Sequence, residues 1–228
     1  MAISVSDFAA QHPTLWHMAH RDSWPSIRRH GLLCTSALLD LFRIRDEFAE
    51  RVRSQHRPES IVIEHPVFGT ATIRDQKPMS DSGLERALLD GITPTEWYRL
   101  LNNKVFFWPS EERLQRMMRS SPYRNHEHVV LVFDTRRLLG QKGHSVTLSP
   151  MNSGATRPMP HARGRDTFQR MGSYPYWERK SQRKDPVAEV AIDDGVKNVE
   201  AFLRRVEKGT AGVRRSVIWS PGRDFEKT

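Results

Sequence analysis

A glutamate interrupts the apolar segment VAEVAI (Val187–Ile192) late in the chain. In a strand, Glu189 would share a face with Val187 and Ala191, because alternate residues point the same way. Burying a carboxylate on an apolar face is unfavourable unless it is paired or used in chemistry. A fixed carboxylate can stabilise a developing positive charge or accept a proton from a nucleophile. The alternative is an edge strand whose glutamate face is wet.

A histidine and a Gly-Leu-Leu segment form a second candidate near the start of the chain. The segment LWHMAHRDSWPSIRRHGLL (Leu15–Leu33) predicts a strand carrying His17, then a basic helix with Asp22 as N-cap and an end at Gly31. A histidine beside a helix end can hold a small ligand, whereas the alternative is a core or capping histidine. His17 and His20 match H-x-x-H without a fitting further ligand, so we expect no metal site.

Two further segments could contact a ligand. Arg74 closes the predicted strand GTATIRD, where its guanidinium could hold a phosphate or a base; a solvated strand end is the alternative. The loop SPMNSGATRP (Ser149–Pro158) is rich in small residues and backbone donors, so it could approach a phosphate or a base edge. An ordinary turn explains that loop equally well.

Basic residues are concentrated between Arg157 and Lys184, where eight of them stand against two acidic residues. The whole chain has 36 Lys and Arg against 27 Asp and Glu, a net charge of +9. Such a charge suits a polyanion, either nucleic acid or the pyrophosphate of a dinucleotide. A solvated basic surface is the alternative.

Length and composition predict one domain spanning residues 1–228. Hydrophobic residues make up 37% and charged residues 28% of the chain, which is typical of a folded globular protein. No apolar run approaches the roughly 18 residues of a membrane span, so we expect no membrane contact. Cys34, the single cysteine, fits a reducing compartment, and the cytoplasm is therefore the expected location.

Short strands alternate irregularly with helices, which predicts an α+β fold with a mixed β core and flanking helices. The strands are expected around Pro66, at KVFFWP, HVVLVFD, SVTLSP and VAEVAID, and at the closing SVIWSP. Four further helices are expected. They are Ser36–Ser54, a helix that begins at the capping box of Thr93, the segment EERLQRMM, and VKNVEAFLRRVE (Val196–Glu207).

The order of these parts resembles that of the DarT-like ADP-ribosyltransferases, which are related to the RNA 2′-phosphotransferases. The shared parts are a histidine strand, the I-x-x-H-G-L-L helix end, an arginine, the aromatic strand VFFW and the A-E strand, and together they cover most of the chain. The resemblance implies a single-domain ADP-ribosyltransferase-like fold. Family members have Thr or Ser two residues after the histidine, where this chain has Ala19.

The resemblance also implies a division of the site residues, with NAD as substrate and no metal. In this family the histidine contacts a ribose of NAD, and a ring of the aromatic strand stacks on nicotinamide. The implied residues are Glu189 and Arg74 for catalysis, and His17, Ala19, Gly31, Leu32 and Phe107 for NAD. For the acceptor, we expect Asn152 and Ser153 of the loop and Arg163 and Arg179 of the basic stretch. The loop with Asn152 and Ser153 differs from that of a typical DarT.

The function expected from the resemblance is an NAD-dependent glycosyltransferase that moves ADP-ribose to nucleic acid, with a DNA base as the favoured acceptor and nicotinamide released. Glu189 would stabilise an oxocarbenium-like ribose, as carboxylates do in glycosidases. Two alternatives remain: a non-catalytic basic nucleic-acid-binding protein, and an NAD glycohydrolase or phosphotransferase on the same scaffold. The resemblance leaves open whether the protein is a toxin. Its partner would then be an antitoxin or an ADP-ribosyl hydrolase.

Overall fold

Two antiparallel sheets meet at one edge in a mixed α/β single domain. The computed structural model describes residues 2–224. The first sheet runs in the order β1 (Thr14–His20), β6 (His128–Asp134), β11 (Leu203–Gly209), β12 (Ser216–Ser220) and β13 (Arg223–Asp224). The second runs in the order β5 (Lys104–Phe107), β9 (Glu189–Asp193), β7 (Val146–Ser149) and β8 (Gln169–Arg170).

Two small strand pairs and a set of short helices surround these sheets. The pairs are β2 (Leu32–Leu33) with β10 (Gly195–Val196), and β3 (Ile61–His65) with β4 (Gly69–Ile73). The helices of the described chain are α1 (Val5–Gln11), α2 (Trp24–His30), α3 (Thr35–Leu41), α4 (Glu47–Ser54), α5 (Asp81–Ala87), α6 (Pro94–Asn102), α7 (Glu111–Met118), α8 (Thr135–Lys142) and α9 (Tyr176–Gln182). Short 3₁₀ turns lie at Gly143–Ser145, Arg165–Thr167 and Val199–Ala201. Within residues 2–224, no helix has the length and apolar character to cross a membrane.

The main core lies between the inward faces of the two sheets. Strands β1 and β6 contribute Leu15, Leu131 and Phe133, while Phe107 of β5 and Val190 of β9 face them. Phe107 and Phe133 meet edge to face at 5.2 Å, a favourable arrangement for aromatic rings. A second cluster packs α3 and α4 against the β3–β4 hairpin, so residues of this part of the chain form a small core of their own.

Several local predictions are confirmed. The Thr93 side chain accepts from the Glu96 backbone N–H, and the Glu96 carboxylate accepts from the Thr93 N–H, which completes the capping box of α6. The hairpin around Pro66 forms with Ile61 opposite Ile73. Gly31 ends α2 with a φ of 90°, as expected for a glycine at this position.

The single helix predicted over Ser36–Ser54 is wrong, because the chain forms α3 and α4 instead. Arg43 has a φ of 60°, and the Ile44 N–H donates to the Leu39 carbonyl at 3.0 Å, so the chain turns away from the helix axis. Asp46 then caps α4 by accepting from the Ala49 N–H. Periodicity continues across this break because both helices bury apolar residues in the same small core.

The helix predicted over Val196–Glu207 is also wrong. After a 3₁₀ turn the chain enters β11, which pairs with β6 on one side and β12 on the other. A segment with helical periodicity forms an internal strand because two neighbouring strands satisfy its backbone.

The N-cap of α2 is Ser23, not Asp22, whose carboxylate accepts from Arg21 at 3.2 Å. Helices α1, α5, α8 and α9 have no counterpart among the predicted helices.

Two glycines allow the backbone segments around β2 and β10 to approach each other closely. A Cβ on Gly31 would lie 2.6 Å from the Val196 carbonyl oxygen, and one on Gly195 would lie 2.3 Å from that of Leu32. Both glycines have positive φ, at 90° and 128°. Backbone contact of this kind is open only to residues without a side chain.

Replacing Gly31 with alanine should therefore destabilise the fold strongly. Its φ of 90° and ψ of 169° lie in a region that is essentially restricted to glycine. With the clash against Val196 added, we expect Gly31→Ala to lower the free energy of unfolding by about 3 kcal/mol or more, measured by urea denaturation.

Gly212→Ala is the matched control, because Gly212 has a φ of 76° and a Cβ added there would have no heavy atom within 4 Å. That substitution should lower the free energy of unfolding by about 1 kcal/mol, the strain of the left-handed region alone. If Gly31→Ala and Gly212→Ala lowered the free energy of unfolding equally, the close backbone contact at Gly31 would be contradicted.

Candidate functional site

A cleft opens where the two sheets part. Strands β1 and β5 are bridged by Trp16 and Trp108, which exchange backbone hydrogen bonds of 3.0 and 2.8 Å. A continued antiparallel ladder would next join Met18 to Phe106. Instead, the carbonyl of Phe106 accepts from the ring of His17, and the carbonyl of Met18 accepts from Arg74. Two predicted site residues thus take the places of missing backbone donors.

His17 is neutral and has a defined tautomer. Its Nδ1 lies 2.8 Å from the Phe106 carbonyl oxygen and therefore donates to it. Burial lowers the pKa of His17 to about 4, so the ring is uncharged at neutral pH. Because Nδ1 carries the hydrogen, Nε2 is a hydrogen-bond acceptor. Such a group suits a hydroxyl donor better than an anion.

Arg74 is held in place from three sides. It donates to the Met18 carbonyl at 2.9 Å and lies 4.7 Å from the centre of the Tyr123 ring. It also lies 3.4 Å from Nδ1 of His128, whose pKa is lowered to about 4 by burial and by the Arg74 charge. The neutral His128 ring can accept from Arg74 while its Nε2 donates to a carbonyl. Arg74 therefore brings a fixed positive charge to the cleft.

Glu189 lies on an internal strand, and the edge-strand alternative is wrong. It begins β9, which has β5 on one side and β7 on the other. Its side chain is 4% exposed. The Ser153 N–H and Oγ both donate to Oε2 of Glu189, at 2.9 and 2.6 Å. Burial raises the pKa of Glu189 to about 7, although the Ser153 hydrogen bonds and the Arg163 charge oppose that rise.

The loop that contacts Glu189 is itself held by a buried arginine. Arg163 is 1% exposed and donates to the carbonyls of Ser153 and Ala155, each at 2.7 Å. Thr156 continues this attachment through its backbone N–H, which donates to the Pro78 carbonyl. Arg163, predicted to contact the acceptor, therefore positions the loop instead and does not line the cleft.

The structure brings most of the predicted residues to one cleft of about 270 Å³. Eight of them line it: Glu189, Arg74, His17, Ala19, Gly31, Leu32, Asn152 and Ser153. Phe107 does not, because it points into the main core, 1% exposed. Its neighbour Phe106 lines the cleft, as expected from alternation along a strand. The ring that faces the cleft is therefore that of Phe106 and not that of Phe107.

The basic stretch between Arg157 and Lys184 does not form one surface. Arg163 is buried, and Arg179 lies outside the cleft with its guanidinium 5.5 Å from the centre of the Tyr174 ring. Lys180 contacts the rings of Tyr176 and Trp177. Arg163, Arg179 and Lys180 therefore lie in different surroundings although they are close in the sequence.

Arg57 is a site residue that sequence reasoning missed. It lines the cleft and donates to the carbonyls of Arg74 and Val52 and to the Asn102 side chain. Burial lowers its pKa to about 10. The segment Arg57-Pro58 has no distinguishing local pattern, since the burial of this arginine depends on contacts that are distant in sequence. Tyr123 also lines the cleft without a sequence signal, whereas Trp108 belongs to the aromatic segment VFFW that the sequence analysis singled out.

The cleft thus combines the carboxylates of Glu189 and Asp75, the neutral imidazole of His17 and two guanidinium groups against an aromatic wall. Among the described residues, no group of three or more His, Cys, Asp and Glu side chains could hold a metal ion. The combination suits a substrate with hydroxyls, an anionic group and a centre that becomes positive during reaction.

A comparison with protein families gives one match. Residues 13–203 match a family of unknown function, DUF7002. The match spans most of the chain and includes every site residue named above, so the protein belongs to this family. No curated protein matches the sequence.

Stability should depend on the protonation of Glu189. With a pKa raised from 4.5 to about 7, the folded protein keeps a proton that the unfolded chain releases between these values. The free energy of unfolding therefore falls as pH rises through this window, by about 3 kcal/mol once pH exceeds 7. Glu189→Gln removes this dependence, so the variant should become more stable than the wild type as pH rises.

Urea denaturation at several pH values measures this difference. Glu64→Gln, on the exposed face of the hairpin, controls for the loss of one carboxylate. A constant difference between Glu189→Gln and the wild type at all pH values would contradict the raised pKa.

Proposed function

We propose that this protein is an NAD-dependent ADP-ribosyltransferase that modifies nucleic acid. The observation that carries the proposal is the buried carboxylate of Glu189, held by Ser153 in the same cleft as His17 and Arg74. The proposal includes an ADP-ribosyltransferase-like arrangement of the fold. Its support is the pair of antiparallel sheets that part beside the histidine strand.

The donor set of the cleft fits NAD. The His17 Nε2 can accept from a ribose hydroxyl, since Nδ1 is engaged by Phe106. The guanidinium groups of Arg74 and Arg57 supply positive charge for a diphosphate. Phe106 and Trp108 offer apolar surface for a flat ring. The small side chain of Ala19 leaves room where similar enzymes have a hydroxyl.

When bound, NAD supplies a glycosidic bond whose electron pair leaves with nicotinamide as the ribose becomes positive. The ionised carboxylate of Glu189 stabilises that charge and accepts the proton that the acceptor loses as its lone pair attacks. A pKa of about 7 leaves a substantial fraction of Glu189 ionised at neutral pH. Ser153 favours the ionised form with two hydrogen bonds, and Arg163 keeps Ser153 in position.

Replacing the carboxylate tests its role in chemistry. We expect Glu189→Gln to slow nicotinamide release about a hundredfold, as when one preorganised electrostatic group is removed from an active site. NAD affinity should change little, because the carboxylate acts mainly on the transition state. Chromatography measures nicotinamide, calorimetry measures NAD binding, and mass spectrometry of DNA, RNA and protein after incubation with labelled NAD identifies the acceptor.

Three results would overturn the proposal in different ways. If the wild type does not bind NAD, the assignment of NAD as its substrate is wrong. Full turnover by Glu189→Gln makes the glutamate structural. Nicotinamide release without label on any acceptor indicates an NAD glycohydrolase on the same scaffold.

Removing one donor to Glu189 should shift the pH dependence of the reaction. Ser153→Ala eliminates the 2.6 Å hydrogen bond from Oγ and leaves the backbone N–H bond. A hydrogen bond to a charged group contributes about 1.5–3 kcal/mol, so the midpoint of nicotinamide release against pH should rise by about one to two units.

The pH-rate profile is the informative measurement, because a simple folding defect lowers the rate at all pH values equally. Ser153→Thr keeps the hydroxyl and serves as the matched variant with the wild-type midpoint. If Ser153→Ala left the pH midpoint of nicotinamide release unchanged, Ser153 would have no influence on the ionisation of Glu189.

A further inference from the structure

Asp75 is a carboxylate of the cleft that the proposed chemistry does not use. Its Oδ1 accepts from the Tyr123 hydroxyl at 2.7 Å and from the Lys77 backbone N–H at 3.3 Å. Its Oδ2 accepts from the Ser60 hydroxyl at 2.9 Å. All three donors are neutral groups, so these bonds orient the carboxylate without cancelling its charge.

The Asp75 carboxylate is ionised and can accept a further hydrogen bond. Burial opposes its ionisation, but the Tyr123 hydrogen bond and the Arg74 charge outweigh burial, so the pKa of Asp75 is lower than its ordinary value. The two oxygens of a carboxylate have about four lone-pair positions in all, and the bonds described above occupy three of them. One position on Oδ2 therefore remains for a hydrogen-bond donor of a ligand.

Strand register places Glu189 at one end of the cleft. Val190, the next residue of β9, pairs with Phe107 of β5. Glu189 therefore lies level with Trp108, whose backbone bonds to Trp16 where the two sheets meet. Under the proposed function, the ribose that reacts lies at this end of the cleft.

Asp75 lies toward the other end of the cleft, beyond Arg74. Arg74 donates to the carbonyl of Met18, which is two residues after Trp16 and therefore about 7 Å farther along β1. Asp75 is the next residue of the chain, and its charge reaches His20, the last residue of β1. The order along the cleft is thus a carboxylate, an arginine and a second carboxylate.

The same order of groups is found in a dinucleotide. A diphosphate beside Arg74 joins two riboses, one of which reacts at Glu189. The other ribose then lies next to Asp75, because it is bonded directly to the diphosphate. Its 2′-hydroxyl is a donor, and acidic side chains recognise this hydroxyl in doubly wound dinucleotide-binding domains. A phosphate at the 2′ position would instead bring further negative charge against Asp75.

We propose that Asp75 accepts a hydrogen bond from the 2′-hydroxyl of the adenosine ribose and thereby selects NAD over NADP, which has a phosphate on that hydroxyl. This inference rests on the proposed function for the identity of NAD as substrate. Selection arises both from the contact with the hydroxyl and from repulsion of the phosphate. Because Arg74 and Arg57 supply positive charge in the same cleft, a neutral side chain at position 75 should admit the phosphate.

Three ligands and three proteins test the proposal by calorimetry. The ligands are NAD, NADP and the NAD analogue that lacks the 2′-hydroxyl of its adenosine. The proteins are the wild type, Asp75→Asn and the control Asp166→Asn, which makes the same substitution at an exposed residue outside the lining of the cleft. Asp75→Asn keeps one oxygen that can accept from Tyr123. Ratios of affinities within one protein do not depend on the fraction that folds, so a partial folding defect leaves the comparison valid.

We expect the wild type and Asp166→Asn to bind NADP about a hundredfold or more weakly than NAD, since like charges in contact are strongly unfavourable. Asp75→Asn should bind NAD about tenfold more weakly, because a hydrogen bond to a charged group is lost, and should bind NADP within about tenfold of NAD. Loss of the 2′-hydroxyl should weaken binding to the wild type about tenfold and binding to Asp75→Asn much less, because an amide is the weaker acceptor.

The outcomes separate this proposal from the proposed function. If the wild type binds NAD and NADP equally, or if Asp75→Asn keeps the wild-type preference, Asp75 does not select the substrate, while nicotinamide release from NAD could still occur. An equal effect of the missing hydroxyl in the wild type and in Asp75→Asn would also overturn the role of Asp75. If the wild type binds neither dinucleotide, the proposed function is wrong, and the role of Asp75 is wrong with it.

Discussion

The site depends on a single interruption in backbone pairing. Trp16 and Trp108 join the two sheets, but the next pair of the ladder does not form. Buried carbonyls need donors, so the parting is stable only because side chains supply them. His17 and Arg74 do so, and both are thereby oriented toward the cleft that the parting creates. The same hydrogen bonds therefore satisfy the backbone and position two polar side chains in the cleft.

Glu189 represents the opposite balance, because its buried carboxylate reduces the stability of the fold. Its carboxylate could be exposed at low energy, yet it is buried on an internal strand with a raised pKa. Ser153 and Arg163 form a chain of contacts that limits this penalty without removing it. Perturbed pKa values of this kind are concentrated at functional sites, because catalysis needs groups that titrate near the working pH.

A second cleft adjoins the first, and different elements of the fold bound the two. The first is bounded by the parted strands and by the hairpin with its own small core. The second is bounded by α7 and by the loop attached through Arg163. Asn152 and Trp108 line both clefts, so the two clefts share a wall.

Local sequence determined the capping box at Thr93, the hairpin around Pro66, the glycine end of α2 and the strand that carries Glu189, because each depends on neighbours within a few residues. The same information favoured a helix over Val196–Glu207, where pairing with β6 and β12 imposes a strand. The family resemblance indicated Phe107, whereas Phe106 faces the cleft. Strand register decides which ring faces the cleft, and register is set by the partner strand. Burial of Arg57 and Arg163 likewise follows from carbonyls brought from elsewhere, which only the tertiary structure supplies.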